Sequence, residues 1–136
     1  MKNLAVVGLG SIAKRHRKNL KDLYPNARVY AMSSSGRLVD EIVDNCDEVV
    51  NSIERLIDIG VDFAVIASPA TFHAQHSIPF IRSGIPVLIE KPVAASLEDA
   101  RLIASETAKF GTPVAVGYCL RYMPSARKMR DFIDRR

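Results

Sequence analysis

The sequence predicts a doubly wound α/β protein, with about six parallel strands and helices on both faces of the sheet. Short apolar stretches alternate along the chain with longer segments that have the spacing of amphipathic helices. Several of these stretches are apolar at every position, as expected of parallel strands that are covered on both faces. A glycine-containing turn joins the first strand to the first helix. Together these three features predict the fold class.

Strands and helices follow one another in regular order from the first residues. The first strand is predicted at 4–7, and the helix after it places Ile12, His16, Leu20 and Leu23 on one face. Further strands are predicted at 27–32, 48–50, 62–67, 86–89 and 113–117, and a short helical or irregular stretch at 37–44. Further helices are predicted at 53–59, 71–82, 97–110 and from 124 to the last residue. Ser52 and Ser96 can cap two of them, which Gly60 and Gly111 end.

The turn after the first strand has the pattern G-x-G-x-x-A, with Gly8, Gly10 and Ala13 at the fixed positions. The first glycine permits a tight turn, the second lets the backbone approach a pyrophosphate, and the alanine allows close packing of helix on strand. Free N–H groups near Ser11 and Ile12, with the positive end of the helix dipole, would face the phosphates. The same pattern occurs in ordinary tight turns. Its place at the start of an alternating β/α chain favours a dinucleotide-binding site.

Other candidate residues directly follow strands, because the ligand of a doubly wound sheet lies outside the carboxyl ends of the strands. Ser68 and Pro69 follow one strand, and Glu90 and Lys91 follow another that is very apolar. Lys91 beside a nicotinamide ring could exchange a proton with a substrate hydroxyl as hydride moves to or from the ring. Glu90 could orient Lys91 or contact the nicotinamide ribose. The alternative interpretation of this charged pair is a solvated loop.

The loop after the second strand bears on the choice between NAD and NADP. An acidic residue there usually binds the adenosine ribose of NAD, whereas in this sequence no carboxylate appears before Asp40. The hydroxyls of Ser33, Ser34 and Ser35, with Arg37 close behind, could instead hold a 2′-phosphate. This arrangement favours NADP over NAD. Alternatively, the serines form a polar loop without contact to the cofactor.

Composition predicts an ordinary cytoplasmic domain. Of the 136 residues, 48% are hydrophobic and 25% charged, and no run approaches the roughly 20 apolar residues of a membrane helix. We expect no signal peptide, because the first residues lead straight into a strand. Cys46 and Cys119 lack metal-type spacing, so we predict free thiols and no metal site. The net charge of +4 comes from basic helices without interleaved aromatic residues, so we also predict no nucleic-acid partner.

Four blocks of sequence, in order, resemble the Gfo/Idh/MocA oxidoreductase family. They are Gly8-Leu9-Gly10-Ser11-Ile12 with Arg15-His16 and Asn19-Leu20, Ser68-Pro69-Ala70-Thr71-Phe72-His73, Glu90-Lys91-Pro92-Val93-Ala94, and Val116-Gly117-Tyr118 with Arg121-Tyr122-Met123-Pro124. The resemblance covers nearly the whole chain. It implies an NAD(P)-dependent enzyme that moves hydride between nicotinamide and a hydroxyl-bearing carbon of a sugar, inositol or nucleotide sugar.

By the same resemblance, Lys91 matches a lysine implicated in catalysis, and Glu90 and His73 match positions that line the nicotinamide side. His16 and His76 are interpreted as structural. One departure is Cys119, which stands where the family commonly has an asparagine. That polar contact is therefore not expected in this chain.

The resemblance also implies a second α/β domain, which in the family carries the substrate pocket and an open sheet used for oligomerisation. We therefore expect 1–123 to be the dinucleotide-binding domain and 124–136 to begin a connecting helix. The 136 residues alone are expected to be inactive, and the longer form to be a homo-oligomer. An alternative from another class is a non-catalytic dinucleotide-binding module that acts with a partner chain. Glu90-Lys91-Pro92 favours the enzyme.

Overall fold

A computed structural model describes residues 1–39 and 42–134, and these form a six-stranded parallel sheet in the order β3-β2-β1-β4-β5-β6. The strands are β1 (Asn3–Val7), β2 (Arg28–Met32), β3 (Glu48–Val50), β4 (Phe63–Ile66), β5 (Val87–Ile89) and β6 (Val114–Val116). The helices are α1 (Ser11–Leu23), α2 (Ile53–Ile59), α3 (His73–Arg82), α4 (Leu97–Phe110) and α5 (Pro124–Asp134), with single 3₁₀ turns at Ala70–Phe72 and Cys119–Tyr122. The predicted fold class is confirmed.

The chain order reverses beside the central strand β1. β1 pairs with β2 on one side and with β4 on the other, so that Val7 lies opposite both Met32 and Ile66. Because every pairing is parallel, the carboxyl ends of the strands lie along one edge of the sheet. A crevice at that edge, where the order reverses, is where doubly wound sheets bind ligands.

Two apolar layers cover the faces of the sheet. The larger contains Leu56, Ile66, Phe80, Ile81 and Ile89, and the smaller contains Leu4, Val6, Ala13, Val29 and Val65. Neighbouring residues of one strand enter opposite layers, because successive side chains of a strand point to opposite faces. Ala13 is completely buried, so the close packing of α1 on the sheet that was predicted from its small side chain is confirmed.

The buried face of α1 differs from the predicted one. The buried residues of the helix are Ala13, Arg17 and Leu20. By contrast, Ile12 and Leu23 are 39% and 71% exposed, so their predicted burial is wrong. The difference arises from Arg17, whose guanidinium donates to the carbonyl oxygens of Asp44 (2.9 Å) and Gly8 (3.4 Å). Its aliphatic stem is thereby part of the packed face rather than of a solvated basic face.

The helix ends agree with the local signals. The hydroxyls of Ser52 and Ser96 accept the backbone N–H three residues ahead, at 3.1 and 3.0 Å. Gly60 and Gly111 follow α2 and α4 as predicted. Between β2 and β3, residues 37–39 and 42–44 are irregular, and Asp40 lies outside the described residues. In the part of the chain that the structure covers, no helix is both long and apolar enough to cross a bilayer.

Candidate functional site

The loops that follow four of the strands are fixed at the crevice by main-chain hydrogen bonds. These bonds run from Gly8 N–H to Met32 O (2.7 Å), from Ala67 N–H to Val7 O (2.8 Å), from Glu90 N–H to Ile66 O (2.9 Å) and from Gly117 N–H to Ile89 O (2.8 Å). Each bond extends the ladder between neighbouring strands into the start of a loop. The candidate residues therefore stand on a rigid edge of the sheet.

Gly8 is required by the fold itself. Its φ of +119° lies in the region that favours glycine, and a Cβ at this position would lie 2.5 Å from the carbonyl oxygen of Ala67. This close approach brings the loop after β1 against the loop after β4. Gly8 thereby shapes the crevice by allowing two main chains to touch.

Gly10 is not required by the fold. Its φ of −67° suits any residue, and a Cβ built there meets no described protein atom within 4 Å. The first helical hydrogen bond of α1 is donated by Lys14 to Gly10 O (2.9 Å), which leaves the N–H groups of Ser11 and Ile12 at the open end of the helix. Among the described residues no side chain caps this end. The open space and the free donors fit an anionic group such as a pyrophosphate.

The polar loop after β2 contains Ser33, Ser34 and Arg37, which are arranged differently from one another. The hydroxyl of Ser33 donates to the carbonyl oxygen of Arg37 at 2.7 Å, so Ser33 shapes the loop, and its contact with a phosphate stays a prediction. Ser34 does line a cavity of about 560 Å³, together with Glu54 and Phe72. Arg37 is exposed and lies outside that lining.

His76 joins this cavity to the loop after β4. The Ser68 hydroxyl lies 2.9 Å from His76 Nδ1, and the ring stacks on Phe72 with 5.5 Å between the ring centroids. Burial, and to a smaller extent the nearby His73, lowers the pKa of His76, which favours a neutral ring whose Nδ1 can accept a hydrogen bond from the Ser68 hydroxyl. Ser68 is buried behind the exposed Pro69. The structural interpretation of His76 agrees with this position.

His73 holds the loops after β4 and β5 together. The ring is 1% exposed, its Nε2 lies 2.8 Å from the carbonyl oxygen of Ser68, and its Nδ1 lies 2.9 Å from that of Pro92. Because both nitrogens face main-chain oxygens, the geometry supports His73 as a spacer between loops. Its direct contact with a cofactor stays a prediction.

Glu90 contacts a residue to which the sequence assigned no role in the site. Its Oε1 lies 2.7 Å from Nε2 of His16, and its Oε2 accepts the N–H of Lys91 at 3.2 Å. His16 belongs to α1, so this contact joins the helix after β1 to the loop after β5. The interpretation of His16 as structural stays a prediction, to which the structure adds the contact of its ring with the Glu90 carboxylate.

Lys91 lies at the far end of the crevice, next to the loop after β6. Its side chain is exposed and lines a cavity of about 330 Å³ with Gly117, Tyr118 and Leu120. Cys119, an exposed free thiol, lines the same cavity. In the described parts of the chain no group of three or more His, Cys, Asp or Glu residues could hold a metal ion. Lys91 places an ammonium group, which can donate hydrogen bonds and exchange a proton, at this end of the crevice.

Residues 2–118 match the profile of the Gfo/Idh/MocA family, an oxidoreductase family with an NAD-binding Rossmann fold. The chain belongs to this family. Inositol 2-dehydrogenase 1 of Saccharopolyspora erythraea is 36% identical over 141 residues, which cover 96% of this chain and 41% of that relative. The family assignment confirms the resemblance identified from the four sequence blocks.

Solved structures of the Gfo/Idh/MocA fold superpose well on this chain. One is scyllo-inositol dehydrogenase from Lactobacillus casei with bound NAD(H) and scyllo-inositol, with a TM-score of 0.83, 23% identity and coverage of 99% of this chain and 41% of that one. Another is UDP-N-acetylglucosamine 3-dehydrogenase from Acidithiobacillus ferrooxidans, with a TM-score of 0.78, 22% identity and coverage of 95% and 42%. The chain spans about two fifths of the length of these proteins.

Proposed function

We propose that the chain binds a nicotinamide dinucleotide across the carboxyl edge of its sheet and forms the cofactor half of a dehydrogenase. The substrate class we propose is an inositol, sugar or nucleotide sugar, whose hydroxyl-bearing carbon exchanges hydride with nicotinamide. Gly10 carries the proposal, because this glycine has no steric or conformational reason within the protein and stands over open space at a helix start. The names of the relatives support the substrate class.

Different residues around the crevice contact different parts of the dinucleotide. The N–H groups of Ser11 and Ile12 bind the pyrophosphate, and the cavity beside Ser34 accommodates the adenosine. The Glu90 carboxylate accepts ribose hydroxyl groups at the nicotinamide end. Lys91 Nζ takes up or returns the proton of the substrate hydroxyl. Nicotinamide, when bound, supplies the ring carbon that accepts or donates hydride.

Titration calorimetry with NAD, NADH, NADP and NADPH tests this function directly. We expect the 136-residue chain to bind at least one of the four nucleotides with a stoichiometry near one per chain, because the donors at the start of α1 are already in place. ATP, which has the adenosine but no second ribose or nicotinamide, is the control and should bind more weakly. Failure of all four dinucleotides to bind at millimolar concentration would contradict the proposal.

We further propose that NADP(H) binds more tightly than NAD(H). Support comes from residues 33–39 after β2, which contain three serines and one arginine but no carboxylate. Arg37 is exposed at this loop and is free to turn toward a 2′-phosphate. Glu54 lines the nearby cavity, and its negative charge disfavours the 2′-phosphate of NADP(H).

The NADPH-to-NADH affinity ratio should therefore depend on two side chains of opposite charge. Arg37→Ala should remove the preference, since a charge-assisted hydrogen bond is worth about 1.5–3 kcal/mol, or roughly ten- to a hundredfold in affinity. Glu54→Gln should increase the preference. Arg101→Ala, an exposed arginine on α4, is the matched control and should leave the ratio unchanged. Equal affinities for NADPH and NADH in the unmodified chain would reject the preference.

The division at residue 123 also remains our proposal. It is supported by α5, which has no buried residue and exposes Met129, Phe132 and Ile133. These side chains suit a connecting helix that packs against a further domain. We also propose a cytoplasmic location, which the free thiols of Cys46 and Cys119 support. For the longer form we propose a homo-oligomer without a nucleic-acid or membrane partner.

A further inference from the structure

His16 lies on the second turn of α1 and contacts the carboxylate at the other end of the crevice. Its Nε2 is 2.7 Å from Oε1 of Glu90. Both side chains are largely shielded from solvent, with exposed fractions of 17% and 15%. The helix whose first turn faces the pyrophosphate site therefore also holds, one turn further along, a carboxylate on the nicotinamide side.

The Glu90 carboxylate is fixed from other directions as well. Its Oε2 accepts the N–H of Lys91 at 3.2 Å, and its own main-chain N–H donates to Ile66 O at 2.9 Å. At Gly117 a Cβ would approach Oε1 to 3.3 Å, so the absence of a side chain there leaves room for this orientation. A carboxylate has about four acceptor positions. The contacts with His16 and Lys91 leave acceptor positions for hydroxyl groups of a ligand.

We propose that His16 is a positioning residue, which orients the Glu90 carboxylate to accept hydroxyl groups of the nicotinamide-side ribose. The proposal rests on the dinucleotide-binding function described above. An Nε2–H group is present both in the Nε2-protonated neutral ring and in the imidazolium form, so this role holds for either. Without the imidazole, the carboxylate gains rotational freedom that ribose binding must remove, and affinity falls.

Binding of three nucleotides distinguishes a role of His16 at the second ribose from a role in stabilising α1 as a whole. ADP carries the adenosine and pyrophosphate alone, ADP-ribose adds the second ribose, and NADH adds the nicotinamide. We expect His16→Ala to weaken binding of ADP-ribose and NADH about tenfold and to leave ADP binding unchanged, as measured by titration calorimetry. His16→Gln, whose amide can donate to the same carboxylate, should recover most of the affinity. Arg15→Ala, at the exposed neighbouring position, is the control and should change none of the three affinities.

The coupling between the two side chains provides the second readout. If His16 acts through Glu90, His16→Ala should add little to the loss caused by Glu90→Gln, so the two effects on NADH binding should be far from additive. Full additivity would overturn the proposal, as would an unchanged affinity of His16→Ala for NADH or an equal loss for ADP. If His16→Ala does not fold, His16→Asn serves instead, because its amide is too short to reach the carboxylate.

Failure of the proposed function gives a different result from failure of this inference. An unmodified chain that binds no dinucleotide would overturn both. An unmodified chain that binds NADH, together with a folded His16→Ala variant of equal affinity, would overturn only the role of His16. The thermal midpoint of each ligand-free variant shows that the comparison is made between folded proteins.

Discussion

Gly10→Val should abolish dinucleotide binding while the protein stays folded. A valine side chain would occupy the open space at the start of α1 and would block the approach of the pyrophosphate to the N–H groups of Ser11 and Ile12. Two charge-assisted hydrogen bonds of about 1.5–3 kcal/mol each would be lost, so we expect NADH to bind at least about a hundredfold more weakly. Titration calorimetry measures the affinity, and circular dichroism with a thermal scan reports the fold.

Gly8→Ala is the contrasting variant of the same turn. At this position φ is +119° and a Cβ would lie 2.5 Å from Ala67 O. The substitution should therefore lower the thermal midpoint of the ligand-free protein. The pair separates a glycine required by the fold from one required by the ligand. NADH binding by Gly10→Val at unmodified affinity would show that the pyrophosphate does not approach this turn.

Lys91→Ala should remove most of the turnover of a complete dehydrogenase without weakening its affinity for NADH. A positioned proton-transfer group contributes roughly 10²- to 10⁴-fold to rate. We expect residues 1–136 alone to oxidise inositol negligibly even when saturated with NAD or NADP. Positioning of the substrate can account for about 7–11 kcal/mol of barrier lowering. Because Lys91 is exposed at the end of the crevice, residues 1–136 alone would leave the substrate unpositioned beside it.

The turnover experiment needs a chain that also contains the part of a related dehydrogenase that residues 1–136 do not match. Fusion of residues 1–136 to the remaining part of inositol 2-dehydrogenase 1 from Saccharopolyspora erythraea should create activity, which Lys91→Ala then largely removes. Lys109→Ala, an exposed lysine on α4, should leave kcat unchanged. Robust oxidation of inositol by residues 1–136 alone, or full kcat of the Lys91→Ala fusion, would show that the proton-transfer group lies elsewhere.

The features that the sequence predicts best depend on local physics. The tight turn at Gly8 follows from its backbone conformation, and the caps at Ser52 and Ser96 follow from the unpaired N–H groups of a helix start. Strands β4 and β5 are recognisable because they are apolar at every position. These properties involve residues a few positions apart, so a pattern in the sequence contains them.

The features that the sequence does not predict depend on tertiary contacts. Hydropathy scales treat arginine as a solvated residue. In the structure the Arg17 guanidinium is buried because it donates to the carbonyl oxygens of Gly8 and Asp44, so the buried face of α1 includes Arg17. The hydroxyl of Ser33 is used by its own loop. His16 and Glu90 are distant in sequence, and the only signal that could have joined them is that both lie near the carboxyl edge of the sheet.

The central pairing of β1 with β4 makes the crevice depend on two segments that are far apart in the sequence. β2, β3 and α2 lie between these two strands in the chain, so the contact between the loop at Gly8 and Ser68 closes a long stretch of chain and exists only in the assembled sheet. A dinucleotide lying across this seam binds the assembled sheet and has little to bind in the unfolded chain. At a hundred times its dissociation constant, such a ligand stabilises the native state by about 2.7 kcal/mol. A higher concentration of the dinucleotide would then lower the unfolded fraction of the protein.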